Sequence, residues 1–272
     1  MLGLEAVDEW PGQHAVAVLL REGRGVRTLA AQGDLDRSFA LASVTKVLSA
    51  LGIMVEVARG SCALADQAGP RGATLAHLLS HCSGLPLDGT EPVAAPQERR
   101  IYSNSGIEAA VAHAAAGRAP ATWLDETVLG PLGLGATVLK GSPASGATGS
   151  VGDLCMVAHE ILVPSLLDVE TAGAMRAVAF PGLAGVLPGF GRQAPCDWGL
   201  GLEVKGSKSP HWTGLTWPQA TVGHFGQAGG FIAVDHDAGI AIVTLGDEAF
   251  GPWSKVAWPA LFDDVRARLA VP

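Results

Sequence analysis

The chain has 272 residues, 48% of them hydrophobic, enough to fill a sizeable core, which excludes a disordered chain. A formal net charge of -8 and a sequence pI near 5.4, with no run of Lys or Arg, leave nothing for a nucleic-acid backbone or an anionic membrane to hold, so neither is expected as a partner. The longest apolar stretches, such as residues 239 to 245, fall well short of the roughly 20 residues that a membrane-spanning helix needs.

The opening stretch MLGLEAVDEWPGQ has acidic residues and no basic residue before Arg21, so it lacks the regions of a secretory signal, and a cytoplasmic location is the expectation. HAVAVLL (14 to 20), the turn REGRG and VRTLAAQG read as a β-hairpin, because apolar runs flank a Gly-rich break. After Ser43, residues Val44, Val47, Leu48, Leu51, Val55 and Ala58 recur at the spacing of an amphipathic helix that Gly60 can end. Between 61 and 190 the chain is punctuated by helix starts: Thr74 before LAHLLSH, Ser105 with Glu108, Thr122 with Asp125, and Ser150 with Asp153. Strand periodicity returns in WGLGLEV (198 to 204), GGFIAVDH (229 to 236) and GIAIVTLG (239 to 246), and a final helix carries Trp258, Leu261, Val265 and Leu269 on one side.

This order predicts an α+β fold in which one antiparallel sheet is built from both termini and flanked by helices, with an inserted, mainly helical region. Residues 1–60 and 191–272 would form the sheet part and 61–190 the helical part of one structural domain. Cys62, Cys82, Cys155 and Cys196 form no C-x-x-C pair and suit neither zinc nor a disulfide framework, so they are expected as small core residues.

The segment LASVTK places Ser43 three residues before Lys46 at the start of a helix. Serine there is commonly an N-cap, but three apart on one face also lets the lysine amine reach the hydroxyl. Tyr102 is the only tyrosine of the chain, and Asn104 follows it in YSN. GHFGQAGG (223 to 230) holds His224 among glycines that let a strand backbone approach a ligand.

In this order the three pieces resemble the serine β-lactamase and penicillin-binding-protein superfamily, with its S-x-x-K, Y-x-N and K/H/W-x-G motifs, and within it the class C β-lactamase-like esterases and peptidases. HLLSHCSGLP (77 to 86) and RIYSNSGIE (100 to 108) resemble further segments of that family, and the likeness runs from about residue 14 to residue 245. It implies a β-lactamase/transpeptidase-like fold and a serine hydrolase that forms an acyl-enzyme. Ser43 would be the nucleophile, Lys46 and Tyr102 would share the base role, and Asn104 would orient Lys46 and the substrate. His224 would stand beside Tyr102, and the amides of Ser43 and Gln227, next to Gly226, would form the oxyanion hole.

Phe225 stands where antibiotic-destroying members carry a hydroxyl residue that holds the substrate carboxylate. Efficient β-lactam hydrolysis is therefore not expected, and the partner would be a small ester or amide. An acyltransferase sharing the first half-reaction, or a non-catalytic binding protein that keeps the pocket, are the alternatives. No cofactor and no metal is called for: His77 and His81 lack the glutamate of H-E-x-x-H, and Asp235, His236 and Asp237 fit an exposed turn better than a triad. Trp198, Trp212 and Trp217 are candidate pocket walls, with core packing an equal reading.

Overall fold

Strand alternation sorts the first hairpin into two packing faces. In a computed structural model, which describes residues 3–269, β1 (His14–Glu22) sends Ala15, Ala17 and Leu19 to one side and Val16 and Val18 to the other, all buried. It pairs with β2 (Gly25–Gln32) through the expected turn. The chain then forms β3 (Phe39–Ala40) and enters α1 (Thr45–Ala58). A helical middle follows: α2 (Leu75–Leu79), α3 (Asn104–Ala115), and α4 (Pro120–Leu124), which runs through a π-turn at Asp125–Leu129 into α5 (Gly130–Leu132). After β4 (Val138–Leu139) and β5 (Ala147–Gly149) come α6 (Val151–Leu162), α7 (Val169–Arg176), and the short hairpin β6 (Gly185–Leu187) and β7 (Gly191–Gln193).

The C-terminal part supplies β8 (Glu203–Val204), β9 (Val222–Gly226), β10 (Gly230–Asp235), β11 (Ile240–Gly246) and α8 (Ser254–Leu269). These strands join the N-terminal hairpin in one antiparallel sheet of order β2-β1-β11-β10-β9-β8, so both ends of the chain build it. One face packs on α1 and α6; the other buries Trp258, Leu261, Phe262 and Val265 of α8 with Trp212, Trp217 and Phe231. Among the described residues no helix is long and apolar enough to cross a membrane.

Several local expectations are corrected. Helix α1 is not amphipathic: every residue from Thr45 to Glu56 is buried, because the sheet covers one side and the other helices cover the rest. Ser105 and Thr122 are not N-caps. Ser103 caps α3 by accepting from the Gly106 amide at 2.8 Å, while the Ser105 hydroxyl accepts from Gly89, and α4 starts from Ala119 with Pro120 in its first turn. Ser150 does cap α6, accepting from the Asp153 amide, and Thr74 shares a capping box with His77.

The 198–204 run is paired as a strand only at Glu203 and Val204, since Gly201 has φ +82° and turns the chain back. Asp235 is not an exposed turn residue. It is buried, accepts from Arg266 at 2.9 Å and receives the Ala238 amide, so it ties α8 to the sheet. All four cysteines are free; Cys82 and Cys196 are buried, whereas Cys62 and Cys155 are only partly so.

Candidate active site

Ser43 lies in a 3-10 turn, Ala42–Val44, that leads into α1. The turn is tight: Ala42 has φ +43°, a left-handed conformation disfavoured for a residue with a Cβ, and it is held because Leu41 donates to the Ala147 carbonyl at 3.0 Å and Val44 to Leu41. Strand β9 closes on the same turn. A Cβ on Gly226 would stand 2.5 Å from the Leu41 carbonyl oxygen and 3.4 Å from the Ser43 nitrogen, so only glycine allows this approach. Gly226→Ala is therefore expected to push β9 off the Ser43 turn and lower turnover about 10²-fold, the scale of a 1 Å misplacement, with stability changed far less; comparison of kcat and the urea midpoint checks it.

One helical turn after Ser43, the Lys46 amine is buried and points to three oxygens: Asn104 Oδ1 at 2.7 Å, the Ala144 carbonyl at 2.9 Å and Ser43 Oγ at 3.3 Å. Asn104 is itself fixed, since its Nδ2 donates to Asp88 at 3.0 Å. Burial lowers the Lys46 pKa to about 7, against the opposing pull of Asp88 and Glu108. A neutral amine has two N–H bonds and one lone pair. Asn104 and Ala144 can only accept and take the two hydrogens, which leaves the lone pair for the Ser43 hydroxyl.

Tyr102 lines the same cavity as Ser43. Burial raises the phenol pKa well above its ordinary value, so Tyr102 is a neutral hydroxyl. His224 Nδ1 donates to the Phe225 carbonyl at 2.8 Å, and the Tyr102 hydroxyl therefore donates to His224 Nε2, 3.3 Å away. Burial, assisted by the charge of Lys46, lowers His224 to about 4, so the ring is uncharged near neutrality. Lys46 Nζ lies 4.8 Å over the centre of the Tyr102 ring.

The cavity in front of these groups has a volume of about 310 Å³ and takes in Ser43, Tyr102, Asn104, His224, Phe225 and Gln227. Of the three tryptophans, only Trp198 lines it; Trp212 and Trp217 are core residues around Phe262. Phe225 reaches the cavity but packs mainly among Phe250, Trp212 and Trp258. No lysine or arginine lines the cavity among the described residues.

His77 and His81 serve separate ends of their helix. His77 accepts from the Thr74 amide and stacks on Phe180 at 4.4 Å. His81, at φ +58°, accepts from the Ser103 amide and packs against Tyr102 and edge-on to Trp198, forming the seat of the tyrosine.

Sequence reasoning missed Glu203, Leu87, Leu187 and Pro188 as cavity lining, and Asp88 and the Ala144 carbonyl as partners of the Lys46 network. A carboxylate inside the apolar run WGLGLEV was the available signal for Glu203; a backbone carbonyl leaves none.

The family model described as Beta-lactamase matches residues 12–261. No curated protein matches the chain by sequence. A β-lactamase from Mycobacterium bovis is 44% identical and superposes with a TM-score of 0.95 over 98% of this chain and 99% of that one. A variant of the simvastatin synthase LovD from Aspergillus terreus shares the fold at 18% identity (TM-score 0.75, 98% of this chain, 93% of that one). So does EstCE1, a hydrolase with promiscuous acyltransferase activity, also at 18% (TM-score 0.76, 97% and 96%). With the model spanning nearly its whole length, the chain belongs to the Beta-lactamase family, within the serine β-lactamase superfamily of hydrolases.

Proposed function

We propose that the protein is a serine hydrolase that cleaves small carboxylic esters or amides through an acyl-enzyme on Ser43. The observation that carries this reading is the placement of Lys46 Nζ, 3.3 Å from Ser43 Oγ and held by two acceptors, Asn104 Oδ1 at 2.7 Å and the Ala144 carbonyl at 2.9 Å, so that the amine once deprotonated has its lone pair left for the Ser43 hydroxyl.

In the first half-reaction Lys46 takes the hydroxyl proton as Ser43 Oγ attacks the carbonyl carbon. The oxyanion forms at the amides of Ser43 and Gln227, where one such donor is worth about 3 to 4 kcal/mol. Collapse of the tetrahedral adduct breaks the bond to the leaving oxygen or nitrogen, which takes the Tyr102 proton. The Lys46 ammonium then returns a proton to Tyr102 by way of the incoming water, and His224 holds the phenol in line. In the second half-reaction water attacks the acyl carbon with Lys46 again as base, which frees the acid and restores Ser43.

Esters and simple amides fit better than β-lactams. A β-lactam carries a carboxylate, and the cavity offers it no cation, a neutral His224 and a phenyl ring at Phe225. The relatives of this fold include a hydrolase that also transfers acyl groups, so an alcohol in place of water in the second half-reaction is the nearest variation.

A fluorophosphonate probe should add to Ser43 and be absent from Ser43→Ala, and p-nitrophenyl esters should be turned over only by the wild type, with nitrocefin much slower. A folded wild-type protein that neither takes the probe nor cleaves any ester would overturn the reading. Tyr102→Phe should lower acylation about 10²- to 10⁴-fold, the range for a proton-transferring group, with a smaller loss for leaving groups that need no proton. Single-turnover rates with p-nitrophenyl and alkyl esters would separate the two.

A further inference from the structure

A second concavity opens beside the cavity of Ser43 and shares Leu87, Tyr102 and Pro188 with it. This groove holds about 740 Å³. Its floor is the extended segment Arg100–Tyr102, bridged to Gly185, and its walls include three of the chain's exposed large apolar side chains, Leu87, Val93 and Val186.

Its charge is opposite to that of the molecule. In a chain of net charge -8, the groove is lined by Arg99, Arg100 and Arg192 against the single carboxylate of Glu98. Glu98 pairs with Arg99 at 3.4 Å. Arg100 is buried under the floor and donates to the carbonyls of Ser80, Cys196, Ala179 and Phe180, so its charge is solvated by neutral dipoles. Arg192 is exposed, and its guanidinium makes no hydrogen bond or ion pair among the described residues. The neighbouring cavity has Glu203 and no lysine or arginine in its lining, so the potential favours an anion in the groove and disfavours one in the cavity.

The geometry points to the groove as the leaving-group site for an amphiphilic substrate, whose apolar body lies between Leu87 and Val186 and whose carboxylate or other anion meets Arg192. Tyr102 fixes which part of the substrate enters: it borders both compartments and is the proton donor to the leaving atom, so the alcohol or amine part extends past it into the groove. This assignment rests on the acyl-enzyme chemistry proposed for Ser43.

The test uses two esters with one acyl group, the butyrates of 3-(4-hydroxyphenyl)propionic acid and of its methyl ester, which give the same acyl-enzyme and differ in one charge. Wild type should prefer the anionic ester by about fivefold in kcat/KM at low ionic strength, the size of one partly exposed ion pair, and the preference should fade with salt. Arg192→Gln should bring the ratio near one and Arg192→Glu should invert it, while Arg27→Glu, on the remote strand β2, should leave the ratio as in wild type. A wild-type ratio near one, or a preference that Arg192→Glu does not change, overturns the inference. Binding of 3-(4-hydroxyphenyl)propionate to Ser43→Ala, followed by calorimetry, separates the two readings. Binding lost in Ser43→Ala/Arg192→Glu supports the groove even if no ester is turned over, whereas turnover of both esters without discrimination sinks the groove alone.

Discussion

Lys46→Met should lower kcat/KM for a p-nitrophenyl ester by about 10⁴-fold, the upper range for loss of a general base, while the protein remains folded. Methionine fills the volume of the stem but cannot take the Ser43 proton. The pH profile carries the sharper test. With Lys46 held near 7, wild-type kcat/KM should rise tenfold per pH unit below 7 and level off above it, and the residual rate of Lys46→Met should lack that limb.

Stability should change with it. Between pH 7 and 10.5 the unfolded chain keeps the Lys46 proton and the folded chain has lost it, so wild-type stability gains roughly 5 kcal/mol in all as pH rises from below that window to above it. Methionine removes this contribution. A wild-type acid limb unaltered in the variant would assign the proton transfer to another group.

Glu203→Ala is expected to cost about 3 to 5 kcal/mol of stability, because it leaves the buried Lys208 ammonium without its counter-charge and the His211 and Trp212 N–H groups without an acceptor. Glu203 is 2% exposed; it accepts from His211 Nε2 at 2.8 Å and Trp212 Nε1 at 2.7 Å, and Lys208 stands 3.3 Å away. Lys208 also donates to the Asp197 and Val204 carbonyls, so the carboxylate anchors the segment that folds back from β8 toward β9.

Burial by itself would raise the Glu203 pKa, but Lys208, His211 and the Trp212 N–H outweigh it and hold it at about 2. The unfolded carboxyl titrates near 4.5, so this stabilisation is complete above pH 4.5 and is lost as pH falls through 2. Urea unfolding at pH 7 and pH 3 should show a large gap between wild type and Glu203→Ala at pH 7 and a smaller one at pH 3. Glu203→Gln, which can keep the Trp212 hydrogen bond but not the charge, should fall between them. An equal loss at both pH values would show that packing, rather than charge, dominates at this position.

The motif residues were legible in the sequence because their chemistry is local: Ser43 and Lys46 lie one helical turn apart, and the glycine at 226 announces a close backbone approach. The β1–β2 and β10–β11 hairpins were legible for the same reason, since turn residues and period-two alternation are properties of short segments. Cap prediction at Ser105 and Thr122 failed because a capping pattern states which hydroxyl could accept, and the tertiary position of Gly89 and the ring of Pro120 decided otherwise. The buried Asp235 was misjudged, and Glu203 passed over, for a related reason: a carboxylate stands out as a buried group only once its partners, distant Arg266 among them, are placed.

What the sequence determined by itself was the set of reacting groups and the alternation that builds a sheet from both ends of the chain. Only the tertiary structure decided their state. It brings Asn104 to Lys46 across 58 residues and His224 to Tyr102 across 122, and it strips these groups of water. A pKa depends on desolvation and on the charges within a few ångströms, and neither exists until the chain has closed around the site.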